Sequence, residues 1–440
     1  MKGPSTSHVL AGFALLISCT SDPAAMPSRE HGSMGTDAGI FGAGTDADLL
    51  GAIGEPAHRD PAIGDAARRG DEAAVLGPPL ADAGIVDATA DATVDAGDPP
   101  DVPDAEPADT GLDGQGSLDA GTGPVAIAAY LDDKPSAYSL TFDDNFRSQH
   151  EVVAPLLEAH GFRATFFLVV NRICEGDDPY CYGLTWSDWQ DVHGAGHEIG
   201  NHSLTHWFDD PNTTLEDNIV GAADILAARL APPLTFAYPG SAREGTAQEI
   251  AYMDSLVLSR HIAWRQGNDE NAAIVNRNYV NFGAGCETDM NGVFDDLLAH
   301  APSNKPPHAP MTWLIGLWHG VNEGYCPVTE AALSQHVEYV AAHENAVWVA
   351  PFGDVVRYEM ERKATAITVE QSSSSSVVFR ASHGLDSRFD VPLTFLVDTM
   401  GQAASSASAV WDDTGQSVPA TVKGNQILVT AQATGESLRV

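Results

Sequence analysis

Basic residues are scarce in this chain. Lysine and arginine together number 22 against 61 aspartates and glutamates, a formal charge of −39. Nucleic acid is repelled by such a chain, so no nucleic-acid partner is expected. Cysteine is sparse as well, five residues in 440, and no C-x2-C pair occurs, which removes the common signature of a structural zinc cluster. The apolar run at residues 9–17 is too short to span a membrane; behind Lys2 it has the layout of an export signal.

That run ends in Leu16-Ile17-Ser18-Cys19, which is similar to a bacterial lipobox and makes Cys19 the expected site of lipidation. The expectation is an exported lipoprotein held at the membrane of a bacterial cell envelope by its lipid; a secreted soluble protein is the alternative. Four cysteines then remain in an oxidising setting, with Cys174–Cys181 and Cys286–Cys326 as the expected disulfides.

Four segments follow from composition. Residues 1–19 read as the signal. Residues 20–123 are dominated by Ala, Asp, Gly and Pro, with no Lys or Arg between Arg69 and Lys134, and cannot bury enough apolar surface to offset ordering entropy. They read as a disordered acidic linker. Residues 124–364 alternate short apolar runs with helical patterns, predicting a parallel-strand α/β domain of barrel type. Strands are predicted at 138–142, 164–170, 198–200, 234–237, 313–318 and 346–350, and helices at 152–160, 215–230, 329–343 and 353–362. Residues 365–440 lose the helical period and predict a small β-sandwich-like module, with strands at 372–376, 377–379, 393–397 and 427–429.

Chemistry concentrates at the ends of predicted strands, where parallel α/β folds build their sites. Thr141-Phe142-Asp143-Asp144 offers two adjacent carboxylates whose side chains diverge on extended backbone. One can hold a cation while the other takes a proton. His202 and His206, in His202-Ser203-Leu204-Thr205-His206, are four apart and converge if the segment makes a helical turn. With one Asp they supply three N/O ligands and leave a position open, the layout of a catalytic metal site. Phe236-Ala237-Tyr238-Pro239-Gly240 and Leu317-Trp318-His319-Gly320 each follow a further strand.

In this order the four segments resemble the polysaccharide deacetylase family, also called the NodB-homology or carbohydrate esterase family 4, over about residues 136–362. The resemblance implies a distorted (β/α) barrel that hydrolyses N- or O-acetyl groups of an acetylated glycan. It implies Asp143 as general base, His319 as general acid, and Asp144, His202 and His206 as ligands of a divalent metal, zinc foremost with cobalt, manganese or nickel as alternatives. It puts an oxyanion-binding backbone N–H near Gly240. Where the family carries a base-orienting arginine, this chain has Ala237; Arg277 is the expected substitute, with Arg243 as its rival. A non-sugar amide hydrolase of the same fold, or an inactive carbohydrate-binding lipoprotein, are the competing readings. His197 is expected to be structural, and His336 and His343 to lie on a solvated helix face. Trp186, Trp189 and Trp207 are divided between sugar groove and core. The sequence does not name the glycan or the oligomeric state.

Overall fold

The computed structural model describes residues 123–175, 183–240, 243–266, 289–302 and 308–440, and the backbone of 277–281. The expected signal and linker, with Cys19, Cys181 and Cys286, lie outside these residues. Cys174 and Cys326 each stand in a disulfide.

The described strands are β1 (Val125–Ile127), β2 (Ser136–Asp143), β3 (Thr165–Leu168), β4 (Glu198–Asn201), β5 (Thr235–Ala237), β6 (Ala263–Arg265), β7 (Arg277–Asn281), β8 (Trp313–Trp318), β9 (Val347–Val349), β10 (Ala366–Ser372), β11 (Val377–Ser382), β12 (Leu393–Asp398), β13 (Ala409–Trp411), β14 (Ser417–Val418), β15 (Ala420–Lys423), β16 (Gln426–Ala431) and β17 (Thr434–Arg439). The α-helices are α1 (Ala154–Ala159), α2 (Trp186–Gly194), α3 (Ala222–Arg229), α4 (Ala247–Leu258), α5 (Met290–Leu298), α6 (Glu330–Ala342) and α7 (Phe352–Ala364).

One parallel sheet runs β6-β5-β4-β3-β2-β8-β7, and β9 joins the first residues of β2. This is the distorted (β/α) barrel that the sequence predicts. Its centre is β2, buried along its whole length, so the hydroxyl residues that alternate with Tyr138, Leu140 and Phe142 must find partners inside the protein. Tyr138, Leu140 and Phe142 point into one core with Leu157, Trp189, Leu333 and Val337 from the covering helices. The opposite face carries Ala137, Phe167, Ala237, Ala263, Trp313 and Ile315, closed by Phe352, Val355 and Val356 of α7. Of the polar residues of β2 on that face, Ser139 accepts the Trp313 indole N–H at 3.1 Å and Thr141 donates to the Gly316 carbonyl at 2.9 Å. With a side-chain period of two, Asp143 shares the face of Ala137, and Arg265 that of Ala263.

Helix starts follow local chemistry. Thr185 with Asp188 and Thr246 with Glu249 close full capping boxes ahead of α2 and α4, reciprocally satisfying amide hydrogens that the helix leaves unpaired. Two predicted helices begin differently, with π turns at Gln149–Val153 and Asp217–Gly221 running into α1 and α3.

The C-terminal part is a sandwich of two sheets, β1-β12-β16-β15 and β10-β11-β17-β13-β14, around Phe379, Leu393, Phe395, Val397, Val429 and Leu438. The strand predicted at 372–376 is instead a turn, with the Ser373 hydroxyl accepting the Ser376 N–H at 3.1 Å; a serine run competes with the ladder through such local bonds. Residues Val125–Ile127, grouped with the barrel in the sequence reading, pair antiparallel with β12. Helix α7 of the barrel reaches into the sandwich. Its Tyr358 is packed in the sandwich core and donates to the Ala128 carbonyl at 3.1 Å, and its buried Glu361 accepts the Val391 N–H at 2.7 Å.

Candidate functional site

Strand β2 ends at Asp143, and the chain leaves it through two consecutive left-handed residues, Asp144 (φ 80°) and Asn145 (φ 62°). Short polar side chains tolerate this region better than others, but two in succession need support. Asn145 supplies it. Fully buried, its side chain donates to the Val169 carbonyl at 3.1 Å and accepts the Val169 N–H at 2.7 Å, tying the turn to the end of β3. Backbone held in sparsely populated conformations points to function.

The two histidines converge, though not on a helix. From His202 to His206 the chain forms an irregular loop with positive φ at Ser203 (76°) and His206 (73°). Side-chain bonds shape it: Ser203 N–H donates to Asn201 Oδ1 at 2.9 Å and His206 N–H to Ser203 Oγ at 2.9 Å. Beneath the loop, a Cβ at Gly200 would collide with the Phe167 ring, so only glycine lets β4 lie this close to β3.

Asp144, His202 and His206 each present a ligand atom within 4.8 Å of the others. Asp144 Oδ1 lies 3.2 Å from His206 Nε2 and 3.7 Å from His202 Nε2. A tetrahedral zinc with bonds near 2.1 Å separates its ligands by roughly 3.4 Å, so the donor set fits such a cation. The His202 ring is oriented for the purpose: its Nδ1–H donates to the Ala237 carbonyl at 2.8 Å, which leaves the Nε2 lone pair toward Asp144. Burial pushes His202 down to about 4, helped by His206 and opposed by Asp143, Asp144 and the Ala237 bond. Burial alone would raise Asp144, but the His206 hydrogen bond and the His202, Arg172 and His206 charges outweigh it and hold this carboxyl well below the usual range.

Asp143 is held separately. The fully buried Arg265 bonds its Oδ1, while Oδ2 faces His202 Nε2 at 3.7 Å. The Arg265 guanidinium also lies over the Phe167 ring, 4.5 Å from the centroid. Arg265 is therefore the arginine that meets Asp143, whereas the side chain of Arg277, expected in that role, lies outside the described residues. Arg277 opens β7 in register with Trp313, which pairs with Ala137. Ala137 lies six positions before Asp143 in β2, about 20 Å at the usual strand rise. Arg243 is engaged with Asp254 at 2.8 Å and stacked over Trp264.

His319 follows β8. Burial lowers its pKa, with Asp143 and Asp144 pulling it up and Arg265 and His206 pushing it further down, so it lies within electrostatic reach of all four. Gln149, from the first π turn, donates to the carbonyls of both Asp143 and His319 and clamps the ends of β2 and β8 together. After β5, Tyr238 N–H donates to the Arg265 carbonyl at 2.9 Å and Pro239 has no N–H. The first amide hydrogen past that point is Gly240's, on an exposed residue with φ 44°.

Three residues here went unread in the sequence. Arg265 sits in a three-residue strand too short to show a period. Arg172 donates to Asp144 Oδ1 at 2.7 Å from the turn after β3. Gln149 carries no motif. Elsewhere, His197 is structural as expected, accepting the Ala164 N–H at 3.0 Å. His336 departs from expectation: it is buried, bonded to the Tyr138 hydroxyl and to Asn291 at 2.8 Å each. Trp189 is core, Trp186 pairs with Glu175 and Arg229 at the surface, and Trp207 is 56 % exposed.

Residues 131–254 match the family model described as polysaccharide deacetylase. A gellan lyase of Bacillus sp. is 28% identical over 309 residues, covering 62% of this chain; the chain spans 11% of that protein's length. Among solved structures, the Xyl-CE4 domain of a multidomain xylanase from the hindgut metagenome of Trinervitermes trinervoides is 17% identical, covering 50% of this chain and 89% of that one, with a TM-score of 0.33. A family 4 carbohydrate esterase from Streptomyces lividans is 14% identical, covering 49% and 92%, with a TM-score of 0.31.

Proposed function

We propose that this chain, whose residues 131–254 match the polysaccharide deacetylase model, is a metal-dependent hydrolase that removes acetyl groups from an acetylated carbohydrate. The observation that carries the reading is the division of labour between adjacent aspartates: Asp144 turned to two histidines, Asp143 turned to a buried arginine. Zinc is the first choice of cation for a set of two imidazoles and one carboxylate. When bound by Asp144, His202 and His206, it supplies Lewis acidity toward the acetyl carbonyl.

The protein's own groups do the rest. Arg265 fixes Asp143 Oδ1, so Oδ2 is the oxygen that takes the proton from the attacking water. The water oxygen bonds to the acetyl carbon, and the Gly240 N–H stabilises the oxyanion that develops. His319 protonates the departing nitrogen or oxygen as its bond to the acetyl carbon breaks. Acetate and a free amine or alcohol leave. Each positioned acid or base of this kind is worth roughly 10²–10⁴-fold in rate.

Acetate release from chitin oligomers, poly-N-acetylglucosamine, peptidoglycan and acetyl-xylan tests the reading. Release from none of them, by protein loaded with zinc or cobalt, would sink it. The proposal includes export and lipid on Cys19, supported by the sequence motif. Cys19→Ala is then expected to leave the membrane fraction without altering catalysis by the barrel, and a native protein already soluble with another mature start would refute the anchor.

A further inference from the structure

Large apolar side chains held in water are a cost that folding normally avoids. Among the described residues, the most exposed large hydrophobic side chains are Tyr325 at 62% and Trp207 at 56%. Both stand edge-on against histidines of the site: Trp207 against His206 with ring centroids 5.0 Å apart, Tyr325 against His319 at 5.3 Å. Nothing about the barrel's stability requires the two most exposed of these rings to stand against histidines of the same site.

The backbones beneath them are pinned. Trp207 N–H donates to Thr205 Oγ1, and Thr205 Oγ1 donates back to the Trp207 carbonyl at 2.9 Å. The fully buried Asn218 accepts the N–H of Thr205 at 3.1 Å. Tyr325 precedes the disulfide-bonded Cys326, in a loop closed by Asn322 N–H to the Val328 carbonyl at 2.8 Å. The loop backbones that carry the rings are thus fixed before anything binds.

Sheet order separates them. Trp207 follows β4 and Tyr325 follows β8, and in the order β4-β3-β2-β8 the Asp143-Asp144 turn after β2 lies between the two loops. Three strand spacings divide β4 from β8, roughly 14 Å.

We propose that Trp207 and Tyr325 are sugar platforms on either side of the reacting position, each seating a pyranose ring of the same glycan chain. The face of a pyranose ring is a flat apolar surface that matches an aromatic face. This deepens the acetyl-hydrolase reading and rests on it: the acetylated unit lies between Asp143 and the cation-binding residues, and its neighbours on both sides stack. The substrate is therefore an internal unit of an oligomer or polymer rather than a free acetylated monosaccharide.

The test measures binding and chemistry apart. Calorimetry follows tetramers of N-acetylglucosamine and of acetylated xylose binding to metal-loaded Asp143→Asn, alone and combined with Trp207→Ala or Tyr325→Ala. Each aromatic deletion is expected to weaken binding of the preferred tetramer roughly tenfold, with bound metal unchanged and Trp207→Phe or Tyr325→Phe retaining most of the affinity. Unchanged affinity in both deletions overturns the platforms, even if the wild type releases acetate. Affinity lost in the deletions supports them, even if the wild type releases none, in which case only the hydrolytic reading falls.

Discussion

Arg265 reaches the Asp143 carboxylate from the strand position in register with Ala237. The two positions share one face of the sheet, and the small alanine leaves the space that the guanidinium crosses. The charge that meets Asp143 is thus delivered from β6, the neighbour of β5.

Arg265→Ala is expected to cut acetate release by roughly 10²-fold or more while the protein still binds its cation through Asp144, His202 and His206. Arg277→Ala is expected to behave as wild type. Comparing kcat, KM and bound metal for the two variants checks this; equal losses in both would restore Arg277 as the orienting residue.

The aspartates divide binding from chemistry. Asp143→Asn and His319→Ala should keep near-stoichiometric metal and lose activity, whereas His206→Ala should lose both. Metal content by emission spectroscopy, beside acetate release, reads the difference. If Asp143→Asn empties the site while Asp144→Asn does not, their roles are reversed.

Arg172 donates to the Asp144 oxygen that also faces His206, so it competes with a cation for one lone-pair site and repels its charge. Arg172→Gln is expected to tighten zinc binding by roughly tenfold. Competition with a chelating dye measures it, and weaker or unchanged affinity counts against the competition.

Acid should loosen the fold before carboxylates titrate. Burial depresses His197, His261 and His336 from 6.5 to about 4, so each stays neutral when folded and gains a proton when unfolded. Their contribution is full above pH 6.5 and is lost as pH falls toward 4, up to roughly 3 kcal/mol for each. His261 hydrogen-bonds Asn201, whose Oδ1 shapes the His202 loop, so the site shares in the loss. Urea midpoints at pH 7, 5.5 and 4.5 should fall in sequence; a flat profile contradicts the burial of these rings.

Much of this was legible in the sequence because it lay in short, strongly typed segments. Asp143 ends β2, Asp144 follows it, His202 and His206 lie in the loop after β4, and His319 directly follows β8, so all five sit at one end of the sheet. The expected means of gathering was partly mistaken: His202 and His206 meet through left-handed residues and serine–asparagine bonds, not helical spacing. Arg265, Arg172 and Gln149 escaped because their roles depend on strand register and on a π turn, neither of which leaves a period in the residues. His336 escaped for another reason: its partners Tyr138 and Asn291 are 198 and 45 positions away.

The first described strand, β1, is joined to the sandwich by three rungs, Val125 to Val397, Ala126 to Leu396 and Ile127 to Phe395. In chain order the barrel is thus an excursion made between leaving that sandwich and returning to it. A mechanical pull on the chain ahead of residue 123 is carried through those rungs into β12 before it can reach β2. That sheet holds none of the candidate catalytic residues, so the first contacts such a pull loads lie apart from the Asp143-Asp144 turn.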